Sequence, residues 1–172
     1  MPGLEDLYRE IILDHYRNPR NRGELEVPPA HRVEGFNPLC GDEIVVFVDV
    51  DGDTVKDVKI AGQGCSISQS SASMMAAAVE GRSVADARAL VRAFKALMSI
   101  HESTLEGDED SHDPAPDPES LLPEGVTLGD LEALQGVVKF PVRIKCATLC
   151  WNTLTQGLDE IDEGVADRSG SA

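Results

Sequence analysis

An α+β fold, in which helices cover one face of a small antiparallel three-stranded sheet, is the architecture expected of this 172-residue chain. Three observations carry that expectation: an amphipathic run near the N-terminus, two β-branched runs joined across a tight turn, and helical patterning from there onward. A helix, then a small sheet, then helices is the order of a layered α+β domain.

The elements follow in turn. Leu4, Leu7, Tyr8, Ile11 and Ile12 recur at helical spacing, and the pattern stops before Asn18-Pro19, which disfavours continuation. His31 to Phe36 is a candidate strand. Ile44 to Val50 and Val55 to Ile60 are β-branched runs on either side of Asp51-Gly52-Asp53, a strong hairpin signal. Ser66 to Val79 reads as a helix following a glycine pair. Ser83-Val84-Ala85-Asp86 resembles a capping box, and Ala87, Leu90, Val91, Phe94, Leu97 and Met98 then form one apolar stripe. Thr127 to Gln135 is a further short helical candidate. Cys146 is expected to open the last helix, with Cys150, Leu154, Leu158 and Ile161 on one face. These elements make one domain over residues 1–163, followed by a polar, frayed tail over 164–172.

Composition agrees with a small globular domain, at 41% hydrophobic residues. No stretch approaches the roughly 20 apolar residues of a bilayer span, and no signal-peptide pattern opens the chain. A soluble, unprocessed, cytoplasmic protein is expected. The balance of 15 basic against 31 acidic residues, a net charge of −16, repels nucleic acid and anionic membranes. Part of the excess lies in Glu106 to Glu119, which holds three prolines, no Lys or Arg and almost no apolar side chain. Such a stretch cannot bury enough surface to offset its ordering entropy, so an exposed mobile loop is expected. Docking of a basic partner and adaptation to high salt are the other readings of the acidity.

Three of the four cysteines sit where chain direction changes: Cys40 in Asn37-Pro38-Leu39-Cys40-Gly41-Asp42, Cys65 in Gly62-Gln63-Gly64-Cys65-Ser66, and Cys146 in Arg143-Ile144-Lys145-Cys146. Pro38 and Gly41 make a tight loop presenting Cys40 and Asp42 together. Cys65 falls at a helix N-terminus, where dipole and free N–H groups favour thiolate. Together with Asp42 they read as a metal site, since buried thiolates and carboxylates need a neutralising cation and tetrahedral zinc takes sulfur and oxygen ligands. The competing reading is three unrelated buried thiols, because free cysteine packs like a small hydrophobe and no Cys-x-x-Cys pair is present. In a reducing cytosol a metal or catalytic role is favoured over disulfides.

These three motifs, in this order, resemble the SufU branch of the IscU-like iron–sulfur assembly proteins, over about Leu4 to Ile161. The IscU branch typically carries a histidine immediately before the last cysteine, where this chain has Lys145. The resemblance therefore implies zinc on Cys40, Asp42, Cys65 and Cys146, with an insertion over about residues 102–126. It further implies a partner cysteine desulfurase of the SufS type, whose persulfide sulfur Cys40 accepts and passes to a SufB-type scaffold. Cys40 also suits that role by position, on a Pro/Gly-bounded loop that can swing. Asp42 would be the labile oxygen ligand. Arg143, one turn before Cys146, is expected to face the site, and Lys145 to be solvated.

A second function class shares the same ligands: a scaffold on which iron, or an iron–sulfur cluster, is itself assembled. A purely structural zinc adaptor is the third. Cys150, four residues after Cys146, is expected to be core because its face continues into Leu154 and Leu158. His15, His31, His101 and His112 are expected to be caps or surface residues.

Overall fold

The computed structural model describes residues 4–27, 30–38, 40–105 and 118–170. Helix α1 spans Leu4–Arg17, strands β1 to β3 span His31–Asn37, Asp42–Asp51 and Thr54–Gln63, and helices α2 and α3 span Ser66–Val79 and Val84–Leu105. Two 3-10 segments, Pro118–Leu121 and Gly129–Lys139, precede α4 at Pro141–Gly170. The α+β architecture is as expected, with one antiparallel sheet in the order β1-β2-β3 among the described residues. Most of the acidic run lies outside the described residues.

The sheet forms over the β-branched runs. Ile44, Val46 and Val48 of β2 and Val55, Val58 and Ile60 of β3 are buried, and Val46 pairs with Ile60 while Val48 pairs with Val58. Gly52, at φ 61°, turns the hairpin in a conformation that favours glycine. The covering layer contains α2 against β3 and α4 against β1 and β2. Trp151 of α4 stacks on Phe94 of α3 at 4.8 Å between centroids. Its indole Nε1 donates to Ser71 Oγ at 3.2 Å, and Ser71 Oγ donates to the Ala147 carbonyl at 2.6 Å. A buried serine on α2 thus satisfies polar groups that the core would otherwise strand.

The segment after α1 braces the far edge of the sheet. Asn21, at φ 59°, accepts the Ile60 N–H at 2.8 Å, and the Gly23 N–H donates to the Ile60 carbonyl at 3.0 Å. Ser83 Oγ accepts the Asp86 N–H at 3.0 Å, which is the expected cap of α3.

Three expectations change. Helix α4 begins at Pro141 rather than at Cys146, because proline at a first helical position has the right φ and needs no N–H partner. It also runs through Gly170, past the expected start of a tail at Gly164; Arg88 of α3 ties its Asp159 and Asp162 at 2.8 and 2.9 Å. His15 is buried instead of superficial: Nδ1 lies 2.8 Å from Ser73 Oγ on α2 and Nε2 2.9 Å from Asp130 Oδ2. His31 stands on β1 and pairs with Glu160 of α4 at 2.6 Å.

Candidate metal centre

The β1–β2 turn, the β3–α2 junction and the second turn of α4 meet at one end of the sheet. Asn37 and Asp42 close the first turn as a register pair, and the Gly41 N–H donates to the Asn37 carbonyl at 2.9 Å. Gly41 takes a left-handed φ of 69°, so a residue without Cβ makes the turn that carries Cys40. Cys65 is the N-cap of α2, its Sγ accepting the Ser68 N–H at 3.4 Å. Cys146, one turn into α4, is fully buried, while Cys40 and Cys65 are half-buried.

Cys40, Asp42 and Cys146 offer ligand atoms all within 4.8 Å of one another. The sulfurs of Cys40 and Cys146 are 3.0 Å apart. Cys65 joins through Asp42, whose Oδ1 accepts the Cys65 N–H at 2.9 Å and whose Oδ2 lies 3.9 Å from Cys65 Sγ. Asp42 is fully buried beside these thiols.

Electrostatics here suit a cation. Burial, then hydrogen bonds with Cys40 and Asp42, push the Cys146 thiol well above the ordinary thiol range. A divalent ion would reverse that preference at Cys146, because a coordinated thiol is deprotonated outright. Arg143 is exposed beside them, and the charge of Cys65, then that of Cys146, holds its guanidinium more firmly protonated. Lys145 is exposed, as expected. Cys150 is core: burial pushes its thiol up to about 12, and Ser71 Oγ lies 3.4 Å from its sulfur.

Two contributors escaped the sequence reading. Gly64 has Asp42 against its Cα, since a Cβ there would stand 2.7 Å from Asp42 Oδ1. Asn37 sends its side-chain Nδ2 to Cys146 Sγ at 3.8 Å. The first had a signal in the glycine pair before Cys65. The second had none, because its partner is 109 positions away.

The fold and this cluster define an α+β domain with a thiol-and-carboxylate metal-binding group at one end of its sheet. Residues 7–112 match the NifU-like N terminal domain, and the chain belongs to that family. It is 42% identical to the zinc-dependent sulfurtransferase SufU of Bacillus subtilis over 161 residues, covering 94% of this chain and 95% of that one. It is 37% identical to the iron-sulfur cluster assembly scaffold protein IscU of Streptococcus pyogenes over 155 residues, covering 90% and 84%. Among solved structures, a candidate SUF-system cluster assembly scaffold from Fervidobacterium islandicum AW-1 superimposes with a TM-score of 0.70 at 30% identity, covering 91% of this chain and 99% of that one. No helix among the described residues is long and apolar enough to cross a membrane.

Proposed function

We propose that this chain is a zinc-dependent sulfur acceptor in iron–sulfur cluster assembly. It takes the terminal sulfur of a persulfide on a SufS-type cysteine desulfurase and passes it to a SufB-type scaffold, in the cytoplasm. The observation that carries the reading is the meeting of three thiols and Asp42 at one sheet end, in a chain that aligns over 94% of its length with a zinc-dependent sulfurtransferase. Cys40, Asp42, Cys65 and Cys146 would hold the zinc. Bound zinc would keep the thiols ionised at neutral pH and so supply a ready nucleophile.

The chain's own residues divide the work. Cys65 and Cys146 are fixed by a helix cap and a helix interior, whereas Cys40 rides on a turn and is half-buried. Cys40 Sγ attacks the terminal sulfur of the donor persulfide. A new S–S bond forms at Cys40 as the donor's S–S bond breaks, and the electron pair leaves on the donor thiolate. No external oxidant or reductant is required. Arg143, beside Cys65 and Cys146, offsets the negative charge of the ligand set as the anionic donor approaches. Asp42 keeps one oxygen on the Cys65 N–H and has the other for the metal, as the ligand that yields most readily.

The scaffold reading has support in the 37% identity to IscU, since thiolates bind iron and zinc alike. One experiment separates the two. Protein purified without added metal should hold about one zinc per chain. With a SufS-type desulfurase and free cysteine it should raise desulfurase turnover and carry a persulfide on Cys40 by mass spectrometry. Cys40→Ala should abolish the stimulation. Absence of acceleration and persulfide, with a stable coloured cluster formed from iron and sulfide, would establish the scaffold instead.

A further inference from the structure

Asn37 ends β1 with 6% of its surface exposed, and no step described above uses it. Two of its contacts reach the site. Its backbone oxygen accepts the Gly41 N–H at 2.9 Å and so closes the turn that carries Cys40. Its side-chain Nδ2 donates to Cys146 Sγ at 3.8 Å. The two sulfurs are 3.0 Å apart, so a persulfide that reaches Cys40, the more exposed of the two, also comes close to Cys146.

An N–H···S hydrogen bond differs from position. It draws electron density from the sulfur and stabilises it as a thiolate ligand, which makes it a weaker nucleophile. We propose that Asn37 is a selectivity residue: by donating to Cys146 it keeps that sulfur as the spectator ligand and directs the transferred sulfur to Cys40. The inference rests on the sulfur-acceptor reading. The donor is placed by the fold, since register pairing sets Asn37 opposite Asp42 and its side chain is buried against α4.

Two readouts test it, and the first needs no sulfur transfer. Asn37→Leu keeps a buried side chain of similar size without a donor, Asn37→Ala removes the side chain, and Asn37→Ser returns a shorter donor. In cobalt-substituted protein, loss of the hydrogen bond should make Cys146 a stronger donor. The sulfur-to-cobalt absorption should then move to longer wavelength in the Leu and Ala variants and back toward the native position in the Ser variant. The second readout is peptide mapping after reaction with desulfurase and free cysteine. Native protein should favour Cys40 over Cys146 by about tenfold or more, and Asn37→Leu should bring the two to within about threefold. Thermal melts of each variant establish that it is folded. An unmoved cobalt band in folded Asn37→Leu, or a Cys40 preference retained there, overturns the proposal. If native protein gains no persulfide at all, the acceptor reading fails, and an unmoved cobalt band would still refute the hydrogen bond's influence on Cys146.

Discussion

At the residue scale the glycine pair before Cys65 is explained by what would collide with it. Gly62, at φ 113°, lies against the Glu43 carbonyl of β2, so both its conformation and its neighbour exclude a side chain. Gly64 has an ordinary φ, and its constraint is the Asp42 carboxylate alone, with Oδ1 at 2.7 Å and Cγ at 3.1 Å from a would-be Cβ. That difference gives a clean perturbation. Gly64→Ala should displace the carboxylate from the Cys65 N–H and weaken zinc binding by roughly 10- to 100-fold, the usual cost of disturbing groups that orient ligands. Competition against a chromophoric chelator measures it. Undiminished affinity would show that Asp42 is not held by this contact. Gly62→Ala, which strikes backbone, should instead destabilise the hairpin itself.

At the scale of elements, the closest approach is between α4 and the sheet. A Cβ on Gly35 of β1 would collide with Thr153 Oγ1 and lie 3.1 Å from Ile44 Cγ2, and one on Gly157 of α4 would stand 2.9 Å from Val33 Cγ1. Helix and strand therefore pack glycine against side chain in both directions. Gly35→Ala should destabilise by about 1–3 kcal/mol, the range for an overfilled core site. Adding Thr153→Ala should recover part of it, as a double-mutant cycle in denaturant would reveal. Equal costs in the presence and absence of Thr153 would mean that the loss comes from the strand backbone. These approaches were not legible in the sequence, where Gly35 is one small residue in a strand. What was legible were elements with a local signal: the β2–β3 hairpin from two β-branched runs across Asp51-Gly52-Asp53, and α3 from its six-residue stripe, all of it buried. Helix α4 was misjudged at both ends, because its start depends on proline chemistry at Pro141 and its extension on cross-helix pairs to Arg88. The turn carrying Cys40 and Asp42 and the cap at Cys65 were legible because that chemistry is local, and their grouping with Cys146 came from the resemblance of the three motifs. The amide of Asn37 and the buried bonds of His15 were not, since their partners come from distant segments.

For the whole molecule the dominant quantity is a net charge of −16 on 172 residues. Ion pairs among the described residues couple surface groups of opposite sign, such as Arg20 with Asp14 and Arg88 with Asp159 and Asp162, yet acidic residues outnumber Lys and Arg by 31 to 15. Counting every Lys and Arg against one carboxylate leaves 16 negative charges over. Repulsion among them is larger in the compact state than in an expanded chain, so it opposes folding. Salt acts on two terms of opposite sign, screening this repulsion and also weakening the exposed pairs, each of which contributes only about 0–1 kcal/mol. The repulsive term should win because a net charge of −16 remains whatever pairs form. Melting temperature should therefore rise as sodium chloride increases from low ionic strength to about 0.5 M, with most of the rise complete once the screening length has fallen below about 10 Å. Metal-free and zinc-loaded protein should both show it, the loaded form from a higher baseline because the ion favours the folded chain, which gathers its ligands. A melting temperature that is flat or falls over this range would show that the surface pairs, rather than the acidic excess, govern its response to salt.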